Sequence, residues 1–226
     1  MLLDLVAPAM QSITYIMLLI VLIVYYVKAF RQPQLRRFWL LFALASTMSL
    51  LGNIAWIIHF AVTESALSRI SSIDLFYVTS YILIGIALWT YPARVQRRVW
   101  PWIAGAMSMA LLVVVAVYFG YVAVREKGTL VNFMIYAAYP ILDAGLITLA
   151  WMRYGSVRGT RWERLALLLA CGITSYGVAN TVELTGYVST PILGGFLQNF
   201  FWIMRHVFVL MAALSVRAPS DVLEEQ

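Results

Sequence analysis

Seven apolar stretches, most near the ~20 residues that cross ~30 Å of hydrocarbon as a helix, follow one another along this chain with only short polar breaks. That recurrence constrains the fold more than any other feature. Inside a bilayer no water is present to satisfy backbone N–H and C=O groups, so spanning segments must be helices or a closed barrel, and runs of this length are helical. Of the 226 residues, 63% are hydrophobic and 12% charged; a soluble domain is roughly half apolar and a quarter charged. The expected fold class is all-α: a polytopic membrane protein with seven transmembrane helices.

The spacing predicts span 1 over Ser12–Val27, span 2 over Phe38–Val62, span 3 over Ile73–Tyr91 and span 4 over Pro101–Val124. Span 5 covers Leu130–Met152, span 6 Trp162–Val188 and span 7 Pro191–Val216. Residues 1–217 form one seven-helix domain, and 218–226 form a short cytoplasmic tail. The first span lacks a basic leader and a small-residue cleavage site, so it is read as a retained span.

Orientation follows from basic residues, which favour the cytoplasmic side. Lys28, Arg31, Arg36 and Arg37 fall in one loop; Arg94, Arg97 and Arg98 fall in the next on that side. Arg153, Arg158, Arg161, Arg164 and Arg217 complete that set, against Arg69, Arg125 and Lys127 on the other side. The N-terminus is therefore expected outside and the C-terminus inside, in a bacterial cytoplasmic (inner) membrane. Basic loops beside anionic lipid explain the net charge of +6 without nucleic acid. Trp39, Trp89, Trp100, Trp102, Trp151 and Trp162 fall near the inner boundary, as an interfacial aromatic belt would.

Residues three or four apart share a helix face, and on five spans that face is polar and aromatic. It carries Ser49, Asn53 and Trp56 on span 2, with His59 nearby, and Asp74, Tyr77 and Tyr81 on span 3. On span 5 it is Tyr136, Tyr139 and Asp143; on span 6, Tyr176, Asn180, Glu183 and Tyr187. On span 7 it is Gln198, Trp202 and Arg205, with Asn199 and His206 adjoining. Lipid cannot hydrogen-bond to such faces, so they turn inward. Five helices are expected to surround a polar-aromatic interior, with spans 1 and 4 peripheral.

Asp143 lies thirteen residues below the start of span 5, and Arg205 fourteen below the start of span 7. At ~1.5 Å per residue both are ~20 Å deep. The expectation is that they meet, because the planar guanidinium can grip a carboxylate through two parallel hydrogen bonds. The pair could be a structural lock or a switch. The aromatic stripes could be packing or a binding site. His206 could simply donate to a backbone carbonyl, and Cys171 could be a small buried apolar residue.

Several chemistries find no residues. Covalent retinal needs a lysine at mid-membrane, and Lys28 and Lys127 are both in loops. His59 and His206 alone cannot build a three-histidine zinc site, and no other metal site or catalytic set is evident. No enzyme activity is expected, and no cofactor can be named. Spans 2 and 6 carry Asn53 and Asn180 in similar positions, and spans 3 and 5 share a Tyr-rich texture. That weak repeat fits a 3+1+3 arrangement with span 4 as connector.

Three segments carry a resemblance: GNIAWIIHF leading into SSIDLFYVTSYILIGIAL, then AYPILDAGL, then SYGVANTVELTGYV leading into LQNFFWIMRHVFVLMAAL. Together they resemble the seven-helix N-terminal membrane sensor module of bacterial signalling proteins whose C-terminal parts are GGDEF diguanylate cyclase and EAL phosphodiesterase domains. The likeness covers roughly Arg36 to Leu214. It implies that Asp74, Tyr77, Tyr139, Pro140 and Asp143 belong to a shared interior. The family commonly has an acid where this chain has Asn53, and Arg205–His206 also departs from its pattern. No output domain follows, so the resemblance implies signalling through a separate protein.

Two classes of function are therefore expected. The first is a sensor or receptor-like module that binds a small amphipathic ligand in its interior and acts through a protein partner. The second is an accessory or structural subunit of a larger membrane complex, electron-transfer or photosynthetic. A small-solute transporter is third.

Overall fold

A computed structural model describes residues 2–28, 33–63, 71–90, 100–117, 130–186 and 191–215, with side chains over 12–27, 35–63, 71–90, 101–116, 137–182 and 197–215. Among the described residues the chain is all-helical. The seven helices are α1 (Leu2–Lys28), α2 (Pro33–Thr63), α3 (Asp74–Thr90), α4 (Trp100–Val117), α5 (Leu130–Val157), α6 (Glu163–Gly186) and α7 (Pro191–Leu214). Each matches one expected span. Among the described residues three helices are long and apolar enough to cross a membrane: α2 over Leu35–Thr63, α6 over Glu163–Val182 and α7 over Leu197–Leu214. Ser12–Val27, Asp74–Thr90 and Pro101–Ala116 are shorter apolar helices.

The helices pack α1 on α2, α2 on α3, α3 on α5, α5 on α6, α6 on α7 and α7 back on α1. That sequence of contacts closes a six-helix ring. The main contact of α4 is with α5, outside the ring. The expected peripheral position is thus observed for α4 but not for α1, which closes the ring between α2 and α7. The reason is the buried face Tyr15, Leu18 and Leu22, three apolar or aromatic side chains at helical spacing.

The exposed surface, unlike that of a soluble bundle, is largely apolar. Ile13, Met17, Ile20 and Val27 on α1 are 50–62% exposed or close to it (52%, 57%, 58% and 62%), as are Trp102, Met109 and Leu112 on α4 at 63–69%. Asp143, Arg153, Asn180, Arg205 and His206 are buried instead. Contiguous apolar exposure on this scale is rare in a soluble monomer, and a hydrocarbon solvent removes its cost.

The interior has two zones. Where α1 ends and α2 begins, Leu22, Phe38, Trp39, Leu88, Leu165 and Ala213 pack into an apolar core. Apart from Arg153, the buried polar side chains occupy the other part of the ring, beyond Ser49 and Ser80, whose hydroxyls pair at 2.8 Å. Trp39 corrects the aromatic-belt expectation, because it is fully buried in the apolar core. Trp102 and Trp151 remain exposed as a belt requires; the side chain of Trp100 lies outside the described residues.

Arg153 also departs from its expected place among loop charges. It is 3% exposed and its guanidinium donates to the carbonyls of Leu88 and Trp89 in the last turn of α3. Those carbonyls have no intrahelical partner, so a cation from α5 closes α3. Of the other basic loop residues, Lys28, Arg31, Arg69, Arg94, Arg97, Arg98, Arg125, Lys127 and Arg217 have side chains outside the described residues.

Candidate functional site

α3 sets the site, and its start is fixed locally. Ser71–Ser72–Ile73–Asp74 forms a capping box. The Ser71 hydroxyl accepts from the Ile73 N–H at 3.2 Å, and Asp74 Oδ2 accepts from the Ser71 N–H at 2.8 Å. The other carboxylate oxygen, Oδ1, accepts from the Tyr139 hydroxyl of α5 at 2.6 Å. Asp74 therefore both starts α3 and ties it to α5. The spacing S-x-x-D before an apolar run is the signal that could have disclosed the first role.

One turn further along, the Tyr77 hydroxyl donates to Asn53 Oδ1 of α2 at 3.1 Å. Gly52 beside it leaves room for the Tyr77 ring, since a Cβ there would stand 2.9 Å from that ring's Cζ.

A further turn along, three helices meet in a closed triangle of hydrogen bonds. The Tyr81 hydroxyl donates to Asp143 Oδ1 at 2.7 Å. Asn180 Nδ2 donates to Asp143 Oδ2 at 2.8 Å and to the Tyr81 oxygen at 2.7 Å. A fourth helix joins through Trp202, whose Nε1 donates to Asn180 Oδ1 at 3.3 Å. Both carboxylate oxygens of Asp143 are thus occupied by neutral donors. Close approach of α6 to α5 is needed for this, and Gly177 supplies it: a Cβ there would meet Ile147 Cδ1 at 2.7 Å and Asp143 Cβ at 3.3 Å.

The expected contact between Asp143 and Arg205 does not form. Arg205 donates from Nη1 to the Tyr15 hydroxyl of α1 at 3.2 Å, and its guanidinium carbon lies 4.0 Å from the centre of the Tyr176 ring. The carboxylate remains within electrostatic reach but not in contact. Register explains the difference. Asp143 faces Gly177 and Asn180 on α6, whereas the Arg205 carbonyl lies over Gly172, where a Cβ would approach it to 3.3 Å. Those positions on α6 are at least five residues apart, a rise of ~7.5 Å or more. Counting depth from helix starts assumes that all helices begin on one plane, and α5 and α7 do not.

His206, adjoining Arg205, donates from Nδ1 to the Trp202 carbonyl at 2.7 Å, one of the two alternatives open in the sequence. Its ring meets the Tyr15 ring edge-on, with centroids 4.1 Å apart. Nε2 is sealed from solvent without a partner among the described residues. Tyr15 is the residue the sequence reading missed. Gln11 and Ser12 stand four and three residues before it on the same helix face, and that short polar run is the signal that could have marked it.

The remaining expected residues divide. Trp56 stacks on Phe60 of its own helix at 5.4 Å rather than on the network. Gln198 is half-buried, and its side chain joins no hydrogen bond among the described residues. The side chains of Glu183, Tyr136 and Tyr187 lie outside the described residues. Among the described residues no group of His, Cys, Asp and Glu could hold a metal ion.

The fold and site describe a helical bundle whose ring encloses a polar, aromatic network. No protein-family model, characterised protein or solved structure matches the chain.

Proposed function

We propose that this chain is a seven-span protein of a bacterial inner membrane, N-terminus outside and C-terminus cytoplasmic, that works as a sensor-like binding module. Its six-helix ring with α4 outside corresponds to a 3+1+3 arrangement. The reading rests on one observation: the Tyr81–Asp143–Asn180 triangle, with Trp202 attached, commits buried polar groups from α3, α5, α6 and α7 to one another. Intramembrane ionisable groups are costly and mostly mark function. A plain structural bundle could fill the same space with leucine at no such cost.

In this reading a small amphipathic ligand enters the ring, exchanges hydrogen bonds with the triangle and shifts α3 against α5 and α6. A separate protein partner reads the shift at the cytoplasmic loops. The resemblance to the membrane modules of GGDEF and EAL proteins supports the same assignment.

The test is native mass spectrometry of the full chain in gentle detergent, paired with thermal unfolding of Asp143→Asn. A bound small molecule that is lost in a folded Asp143→Asn variant supports the module. A bare chain that always co-purifies with a large membrane complex, and a variant that fails only by unfolding, would instead fit an accessory subunit.

A further inference from the structure

The geometry points to Arg205 as the docking point for an organic anion, a carboxylate or phosphate carried on an apolar or aromatic body. The inference rests on the binding-module reading and names its ligand class. Arg205 is 7% exposed. A buried arginine is usually neutralised by a carboxylate in contact, because leaving a charge unpaired in a low-dielectric interior is costly. Here the carboxylate within reach, Asp143, has both oxygens taken by Tyr81 and Asn180. Among the described residues the guanidinium has one hydrogen-bond acceptor, the Tyr15 hydroxyl. The two-pronged edge that matches a carboxylate or phosphate is left largely unused.

The walls suit the rest of such a molecule. The guanidinium carbon lies over the Tyr176 ring, 4.0 Å from its centre, a cation–π contact that strengthens when desolvated. That contact holds the cation in place without consuming its N–H donors. Tyr15 is shared, because its hydroxyl meets Arg205 and its ring meets His206. The orphaned Nε2 of His206 is a second polar atom of this cluster whose hydrogen-bonding capacity the described residues do not meet. Trp202 links the cluster to the triangle through Asn180. An anion on Arg205 would therefore be felt at Asp143 both as like charge and through Trp202.

The experiment uses the full chain purified in neutral detergent. Thermal unfolding is measured with acetate, with 3-phenylpropionate, with its neutral amide 3-phenylpropionamide, and in nanodiscs with phosphatidic acid or phosphatidylcholine. The acid should bind about tenfold more tightly than its amide, from one hydrogen-bonded charge contact. Tyr176→Phe should keep that preference and Arg205→Gln should lose it. Response to 3-phenylpropionate alone identifies a free anion; response to phosphatidic acid over phosphatidylcholine identifies a lipid headgroup. Equal binding of acid and amide by the wild-type chain overturns the anion assignment while leaving the binding module standing. No response to any probe, with no molecule seen in native spectra, sinks both. The acid–amide comparison needs no variant, so a poorly folding Arg205→Gln does not rescue the idea.

Discussion

Tyr81→Phe is the most direct test of the triangle. It removes one oxygen and almost no volume, so cavity effects drop out. That oxygen donates to Asp143 at 2.7 Å and accepts from Asn180 at 2.7 Å. Neutral side-chain hydrogen bonds within membrane bundles average ~0.6 kcal/mol. A bond to a charged group contributes about 1.5–3 kcal/mol. One of each gives a loss of about 2–3.5 kcal/mol. Tyr77→Phe supplies the internal control, because its hydroxyl donates to the neutral Asn53 at 3.1 Å in a less buried setting. Its loss should be about 0.6 kcal/mol. The assay is reversible unfolding in mixed micelles with increasing denaturing detergent, followed by circular dichroism. If Tyr81→Phe costs no more than Tyr77→Phe, the carboxylate is not held as described and the triangle is not a unit.

Two further substitutions address how the ring is held. Gly177→Ala places a Cβ against Ile147 and Asp143 and should destabilise by about 1–3 kcal/mol through overpacking, while Gly105→Ala, with open space around it, should be neutral or stabilising by up to ~1 kcal/mol; the same unfolding assay ranks the two, and equal effects would remove the argument for close α5–α6 approach. Arg153→Met keeps the stem but deletes the fork that closes α3, so hydrogen exchange followed by mass spectrometry should quicken over residues 84–90, and unchanged exchange there would show that α3 closes without it.

How far the sequence disclosed this arrangement depends on the kind of information involved. Helix existence was legible because the apolar runs are long and solvent chemistry leaves no alternative inside a bilayer. Inward faces were legible too: Asn53, Tyr77, Tyr81, Asp143, Asn180 and Trp202 all take part in the bonds that link the helices. Partner choice was not. Periodicity says which way a side chain turns but not how one helix slides along another, and a slip of more than one turn separated Asp143 from Arg205. Residues whose partners lie on distant helices were also hidden. Tyr15 sits on a helix read as peripheral, and Arg153 reads as one more loop charge until the last-turn carbonyls of α3 come within reach.

The bonds converge on one helix, and that bears on how the bundle could move. Asp74 binds Tyr139 of α5, Tyr77 and Ser80 bind Asn53 and Ser49 of α2, and Tyr81 binds both α5 and α6. The far end of α3 is closed by Arg153 of α5. A helix tied by polar bonds at its start, its middle and its end has few ways to shift that leave them all intact. Displacement at Tyr81 must be shared with Asp74 and Tyr77 on the same rigid face. α7, by contrast, reaches the triangle through a single 3.3 Å bond from Trp202. The bond pattern makes α3 the helix that carries polar bonds from the triangle to its own last turn, and leaves α7 and Arg205 as the more loosely tied side of the ring.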